Sequence, residues 1–352
     1  MHILFISHSN GFHGAERVML HHINAHIERG DQVSVLIPSQ TKEHDLVQHL
    51  PISKITLLYL PYKTSGVSWL RTMLVRVYNF LSVLRMIYWC RKHQVDSLYS
   101  NTSITILGAQ ITSLYHIPHQ WHFHEPVDEL FGWKKSLMPM YRKWVNLRNT
   151  VIIFISNHQR EEWENELQTS ISYTVQYNPI SPIQRVKTAP HKGVRIGYLG
   201  NFEQRKNIPF LIQVYKRIHA LFPETELWLY GALDKNQVDK MRHIIGEVRN
   251  DIQVELAVTD VARFYSEIDI FVLPSLKETM PLVSLEAGSC GVCTIQTDSS
   301  FLNELLEDGK DCLFVSPTDE NKWVAAISRC MDKTYRQQIA QNGLNKLKQL
   351  CE

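Results

Sequence analysis

The chain has 352 residues, more than one ordinary domain needs, and its 44% hydrophobic and 20% charged content excludes a disordered or low-complexity protein. A formal net charge of +2 argues against a protein that coats nucleic acid along its length. That total hides an imbalance: residues 1–150 carry 15 Lys and Arg against 9 Asp and Glu, whereas residues 151–352 carry 22 against 26.

The first predicted element is a strand over residues 2–7, apolar throughout and preceded by no basic leader. With six scattered cysteines that form no disulfide ladder, this predicts a cytoplasmic, reduced protein. The loop from Ser7 to Arg17 contains Gly11 and Gly14 and leads into a helix. Glycine lets backbone approach a ligand, and the free amides of a helix start suit phosphate; a plain strand-to-helix turn explains the same residues. A strand follows at 33–38. Residues 67–92 then combine Trp69, Tyr78, Phe80, Tyr88 and Trp89 with Arg71, Arg76, Arg85, Arg91 and Lys92. Arg71, Arg85 and Lys92 recur at multiples of seven, so they share one sector of a helix. The charges speak against a spanning helix, and leave two readings: a face for an anionic membrane surface, or aromatic core with Arg stems lying over it.

After a strand at 97–101 comes Gln120-Trp-His122-Phe-His124-Glu125. H-x-H-E lacks the helical i, i+4 spacing of many metal sites, and the chain has no Asp-x-Asp, so no metal is expected. The plainer reading is a polar loop with one core histidine. A second basic and aromatic stretch, residues 133–144, and a strand at 151–156 complete the first half.

Three prolines between 179 and 190 predict an interdomain linker. A second series of strands is expected at 194–200, 226–231, 252–256, 270–274, 293–297 and 313–315. The first ends in Gly200-Asn201, followed by Arg205-Lys206, cations suited to a diphosphate; as isolated residues they are a solvated pair. The fourth leads to Glu278-Thr-Met-Pro281, where a helix starts, with Glu286 inside it. Glu278 and Glu286 can accept bonds from sugar hydroxyls beside an anion-binding helix start; equally, Glu278 can cap the helix and Glu286 face solvent. Cys290-Gly-Val-Cys293 has no second pair for zinc and reads as small residues packed near a strand. Residues 335–350 are polar with a helical pattern, and either cap the second domain or cross back to the first.

Strands alternating with amphipathic stretches predict an α/β protein of two Rossmann-like doubly wound domains facing an interdomain cleft. The expected division is 1–180, 181–334 and a C-terminal helix over 335–352.

These stretches together resemble the retaining GT-B glycosyltransferases of family four, which include glycogen synthases and mannosyltransferases. The E-x7-E pair follows Asp269-Ile-Phe-Val-Leu-Pro-Ser, as it does in that family, and the other landmarks recur in order over nearly the whole chain. The resemblance implies that Glu286 holds the nucleotide ribose and Glu278 the transferred sugar. It implies that Gly14, Lys206 and the helix start at Pro281, Leu282 and Val283 bind the rest of the donor, and that His124, with His122 as the runner-up, approaches the sugar. His13 replaces the family's first loop glycine, and Asn201 its arginine, a charge that Arg205 would supply. Gly231 matches a glycine turn near the nucleotide and Asn178 the domain junction.

On this footing the expectation is a metal-independent hexosyltransferase without a cofactor, using a UDP- or GDP-sugar donor. The acceptor would be a glycan or a lipid-linked one, in surface polysaccharide or glycolipid synthesis. Peripheral contact with the inner face of an anionic plasma membrane is expected, and no nucleic-acid partner. The rival from another class is a non-catalytic GT-B scaffold binding a lipid-linked glycan or a partner transferase. A nicotinamide dehydrogenase would need a G-x-G-x-x-G after an early strand, and none is present.

Overall fold

A computed structural model of the chain describes residues 1–39, 45–64, 68–127, 135–180, 182–232, 234–246, 250–258 and 260–351. Val67, Trp133 and Lys134 of the two basic stretches, Ser181 at the expected boundary and Glu352 lie outside the described residues. The chain divides into two compact units, Met1–Pro179 and Ile180–Glu352.

The first unit runs β1 (His2–Ile6), α1 (Gly14–Glu28), β2 (Gln32–Pro38), α2 (Asp45–His49), β3 (Ile55–Leu60), α3 (Trp69–Lys92), β4 (Ser97–Asn101), α4 (Ile106–Tyr115), β5 (His119–Phe123), α5 (Met138–Val145), β6 (Thr150–Phe154), α6 (Asn157–Leu167) and β7 (Tyr173–Val175). Its sheet has the order β3-β2-β1-β4-β5-β6-β7, with neighbours parallel throughout. β1 shows why such strands are apolar at every position. Leu4 and Ile6 enter one core with Leu36, Leu98 and Leu107, while Ile3 and Phe5 enter another with Val33, Val35 and Ile37.

Three strands of this sheet were not legible in the sequence. β3 and β7 are edge strands, half-buried or exposed along much of their length, so no continuous apolar run marks them. β5 reads His-Gln-Trp-His-Phe, yet it is central. Most of its polar side-chain atoms find partners inside: His119 Nε2 lies 2.9 Å from Ser100 Oγ, Trp121 Nε1 donates to the Thr102 carbonyl at 2.8 Å, and His122 Nδ1 meets the Tyr99 hydroxyl, while His122 Nε2 is buried without a partner.

The second unit runs β8 (Val194–Leu199), α7 (Ile208–Leu221), β9 (Thr225–Ala232), α8 (Lys235–Ile245), β10 (Ile252–Leu256), α9 (Val261–Glu267), β11 (Ile270–Leu273), α10 (Leu282–Ser289), β12 (Cys293–Thr297), β13 (Leu313–Val315), α11 (Glu320–Arg329) and α12 (Lys333–Cys351). Its parallel sheet has the order β10-β9-β8-β11-β12-β13. α12 packs on α10 and β12 of the same unit, so closely that a Cβ at Gly288 would sit 2.6 Å from a Leu347 methyl. Cys290 and Cys293 are both buried, and the sulfur of Cys293 lies 3.6 Å from that of Cys330.

In each sheet the strand order reverses once, between β1 and β4 and between β8 and β11. In open parallel sheets, ligands bind beyond the carboxyl ends of strands at such a reversal. The loops after β1, β4, β8 and β11 leave the strands at these reversals.

Candidate functional site

In the second unit, a short helical turn over Gln204–Lys206 follows β8, and the loop after β11 leads to α10. The two loops are stitched together where the Leu276 amide donates to the Arg205 carbonyl at 2.8 Å. The Glu278 amide donates to the Ser299 carbonyl at 2.8 Å, which fixes the same loop to the one after β12. These backbone bonds bring together side chains more than seventy residues apart. Lys206 Nζ lies 2.5 Å from Glu278 Oε1, and an Arg205 guanidinium nitrogen 3.4 Å from the same oxygen. Burial alone would raise the Glu278 carboxyl. The charges of Lys206 and Arg205, with hydrogen bonds from Lys206 and Ser275, outweigh it and hold the group below its ordinary range.

Arg205 also reaches Glu203, at 2.9 Å, and Asn201 Nδ2 donates to that same carboxylate at 2.8 Å. The Asn201 carbonyl accepts from the Tyr198 hydroxyl at 2.8 Å. Arg205 thus stands beside Asn201 on a shared acidic partner, and bridges from it to Glu278.

Pro281 is the residue immediately before α10, with extended backbone, so the helix proper starts at Leu282. The amides of Leu282 and Val283 belong to the first turn, where a helix offers donors without intrahelical acceptors. Glu286 is buried on this helix, and the Tyr265 hydroxyl of α9 lies 3.0 Å from its carboxylate and 3.1 Å from the Val283 carbonyl. Neither carboxylate is a solvated surface group. Glu278 and Glu286 have different partners, cationic for the first and a phenol for the second.

Gly231 ends the regular pairing of β9 with φ near +129°, and a Cβ there would meet the Gly200 carbonyl oxygen at 2.1 Å. Only glycine allows the ends of β8 and β9 to approach this closely. A cavity of about 320 Å³ is lined by Trp228 and Tyr230 of β9, Ala257 and Val258 after β10, and Asp260, Arg263, Phe264 and Glu267 at α9.

In the first unit, Gly14 is the exposed first residue of α1. The loop before it is held by Glu16, fully buried in the first helical turn. Glu16 accepts from Ser9 Oγ at 3.0 Å and from the His13 amide at 3.1 Å, and His8 Nδ1 lies 3.0 Å away. His13, standing where the family has glycine, uses its backbone in this capping arrangement, which a side chain does not disturb.

His124 follows β5 directly and is half-buried, with Nε2 3.0 Å from Asn101 Oδ1 at the end of β4. With that oxygen as acceptor the proton sits on Nε2, which leaves Nδ1 an acceptor. Burial, reinforced by His22 and His8, pushes its protonation down to about 3, so the ring is neutral at pH 7. His122 is fully buried, its Nδ1 2.5 Å from the Tyr99 hydroxyl and its ring 4.1 Å from that of His124. Of the two histidines, His124 is the one a ligand can reach, and His122 backs it. Glu125 accepts from Ser103 Oγ at 2.5 Å, the Ser103 amide at 3.1 Å and the His124 amide at 3.3 Å. Asn178 is buried at the end of the unit.

Sequence reasoning missed Asn101, Tyr99, Glu16 and Tyr265. A signal existed for Asn101, a polar residue closing a predicted interior strand, and it is fully buried there at the sheet's reversal. None existed for Tyr265, whose partner is fixed only by packing of α9 on α10.

Two family models match the chain: "Glycosyltransferase Family 4" over residues 12–184 and "Glycosyl transferases group 1" over residues 193–333. Among curated proteins, the chain is 25% identical to a D-inositol 3-phosphate glycosyltransferase of Stackebrandtia nassauensis, over 44% of this chain and 38% of that protein. It is 26% identical to the capsular polysaccharide biosynthesis glycosyltransferase CapM of Staphylococcus aureus, over 43% of this chain and 40% of that protein. The chain thus spans about two-fifths of the length of these relatives. Among solved structures, Anabaena HepE in complex with UDP-glucose superposes with a TM-score of 0.78 at 18% identity, covering 99% of this chain and 95% of that one.

Proposed function

The chain belongs to the group 1, family four glycosyltransferases, and from that premise we propose that it moves a hexose-type sugar from a nucleotide-diphosphate sugar to a glycan or lipid-linked acceptor. The reaction would take place in the cytoplasm, in surface polysaccharide or glycolipid synthesis. The observation that carries this reading is the buried Glu278 carboxylate, held ionised by Lys206 and Arg205 at the reversal of the second sheet. A diphosphate laid against these cations and the first amides of α10 would be neutralised as it leaves. Glu278 would keep both cations aimed and accept from a sugar hydroxyl. Glu286 would hold the ribose, and the cavity lined by Tyr230 would take the base.

The proposed course is retention. The acceptor oxygen bonds to the anomeric carbon on the face from which the diphosphate departs, the carbon–phosphate oxygen bond breaks, and the acceptor proton passes to the diphosphate. His124, neutral with a free acceptor at Nδ1, would orient a sugar hydroxyl. Positioning and charge stabilisation suffice for this course, so no metal is needed.

The test is a panel of UDP- and GDP-sugars, scored for nucleotide release and sugar transfer with and without EDTA. One donor should turn over, EDTA should leave the rate unchanged, and Glu278→Gln should lower turnover by about 10²–10³. Full activity in Glu278→Gln would remove this site. Silence across the whole panel, with no thermal shift from any donor, would favour the non-catalytic scaffold.

A further inference from the structure

α3 is a helix turned inside out. Toward the protein it buries Thr72, Asn79 and Ser82 beside Val75, Val83 and Met86. The inward polar groups are satisfied: Asn79 exchanges bonds of 2.9 Å with the backbone of Lys63, and Ser82 Oγ donates to the Pro61 carbonyl at 2.6 Å. Toward solvent it presents Leu70, Leu74, Val77, Leu81, Leu84 and Tyr88, all exposed, up to 73% at Val77. Their spacings alternate four and three, so they form one continuous stripe along the helix. Phe80 and Trp69, also exposed, widen it on one side. A contiguous apolar face of this size on a water-soluble surface marks an interaction site.

The charge pattern says what covers it. The helix carries Arg71, Arg76, Arg85, Arg91 and Lys92 and no acidic residue at all. Arg71, Arg85 and Lys92 line one margin of the stripe, with Tyr78 between them. A second copy of the chain laid antiparallel on this face would set those cations against their own counterparts. The apolar arc is also broader than a two-helix seam requires. An anionic lipid surface meets both features: acyl chains take the stripe, and phosphates take the cationic margin. Among the described residues no helix is long and apolar enough to cross a membrane, so α3 would lie in the plane of the surface.

We propose that the outward face of α3 docks the chain on an anionic lipid surface, with its apolar stripe at the boundary of headgroups and acyl chains. This is independent of which donor or acceptor the chain uses.

The full chain is sedimented with vesicles of phosphatidylcholine alone and of phosphatidylcholine with phosphatidylglycerol. Binding to the anionic vesicles should exceed that to the neutral ones by at least about tenfold and weaken as salt is raised. Leu74→Asp with Leu81→Asp, at exposed positions, should keep the melting temperature and abolish binding. Arg71→Gln with Arg85→Gln should weaken it by about fivefold for each charge. Absence of binding to anionic vesicles, or undiminished binding in the Leu74→Asp, Leu81→Asp protein, overturns the proposal. So does a dimer seen by sedimentation equilibrium that the same two substitutions dissolve, since the stripe would then be covered by a second copy.

Discussion

Lys206 and Glu278 show what a buried ion pair does at the scale of single side chains. The carboxylate is almost wholly enclosed, and it stays ionised because cations face it. Lys206→Met should leave that carboxylate buried with less compensation and destabilise the fold by about 3–5 kcal/mol in urea denaturation. Lys206 and Arg205 hold the protonation of Glu278 down in the fold, so its contribution is complete above its ordinary value of 4.5 and is lost as the pH falls through the folded one. The buried histidines act in the same direction at higher pH. Burial pushes His119 down to about 3 and His22 to about 4, from an ordinary 6.5, so below that value the unfolded chain takes up protons that the fold refuses. A fully buried neutral histidine such as His119 then costs about 1.4 kcal/mol of stability per pH unit. Denaturation midpoints measured at pH 7, 6 and 5 should fall steadily; a flat profile would mean the histidines charge within the fold. The sequence named Lys206 and Glu278 as candidates. It could not pair them, because the pairing depends on β8 and β11 lying side by side.

The elements that carry the site are loops leaving parallel strands and the helix starts that follow them. Gly231→Ala, at positive φ and against the Gly200 carbonyl, should cost about 1–3 kcal/mol in thermal unfolding and disturb the ends of β8 and β9. Tyr265→Phe removes a donor from the buried Glu286 carboxylate and should cost about 1.5–3 kcal/mol by the same measurement. Elements were legible where one physical signal dominated: β1 and β11 as apolar runs, α10 by its proline start. β3 and β7 at the sheet edges and the polar β5 were not, because partial exposure or internal hydrogen bonding replaced the apolar pattern. In α3 the sequence displayed a basic sector and an aromatic content with two readings. Which side faces outward was decided by Asn79 and Ser82 finding backbone partners inside.

For the molecule as a whole, two doubly wound units fit the group 1 glycosyltransferases, whose family models match most of the chain. Donor binding should register as global stability: a nucleotide-sugar at a hundredfold its Kd should add about 2.7 kcal/mol, seen as a rise in Tm with one base and not the other. The early excess of positive charge is concentrated in part on α3, whereas in the second unit Arg205 and Lys206 converge on Glu278. The sequence by itself determined the α/β class, the resemblance to a family and the residue types at the strand ends, because these depend on local periodicity and short spacings. Only the tertiary structure decided that Lys206 and Arg205 converge on Glu278, that Tyr265 holds Glu286 and that His124 rather than His122 is reachable. Each of those is a contact between distant stretches, set by strand order and helix packing, and such contacts leave no local pattern in the chain.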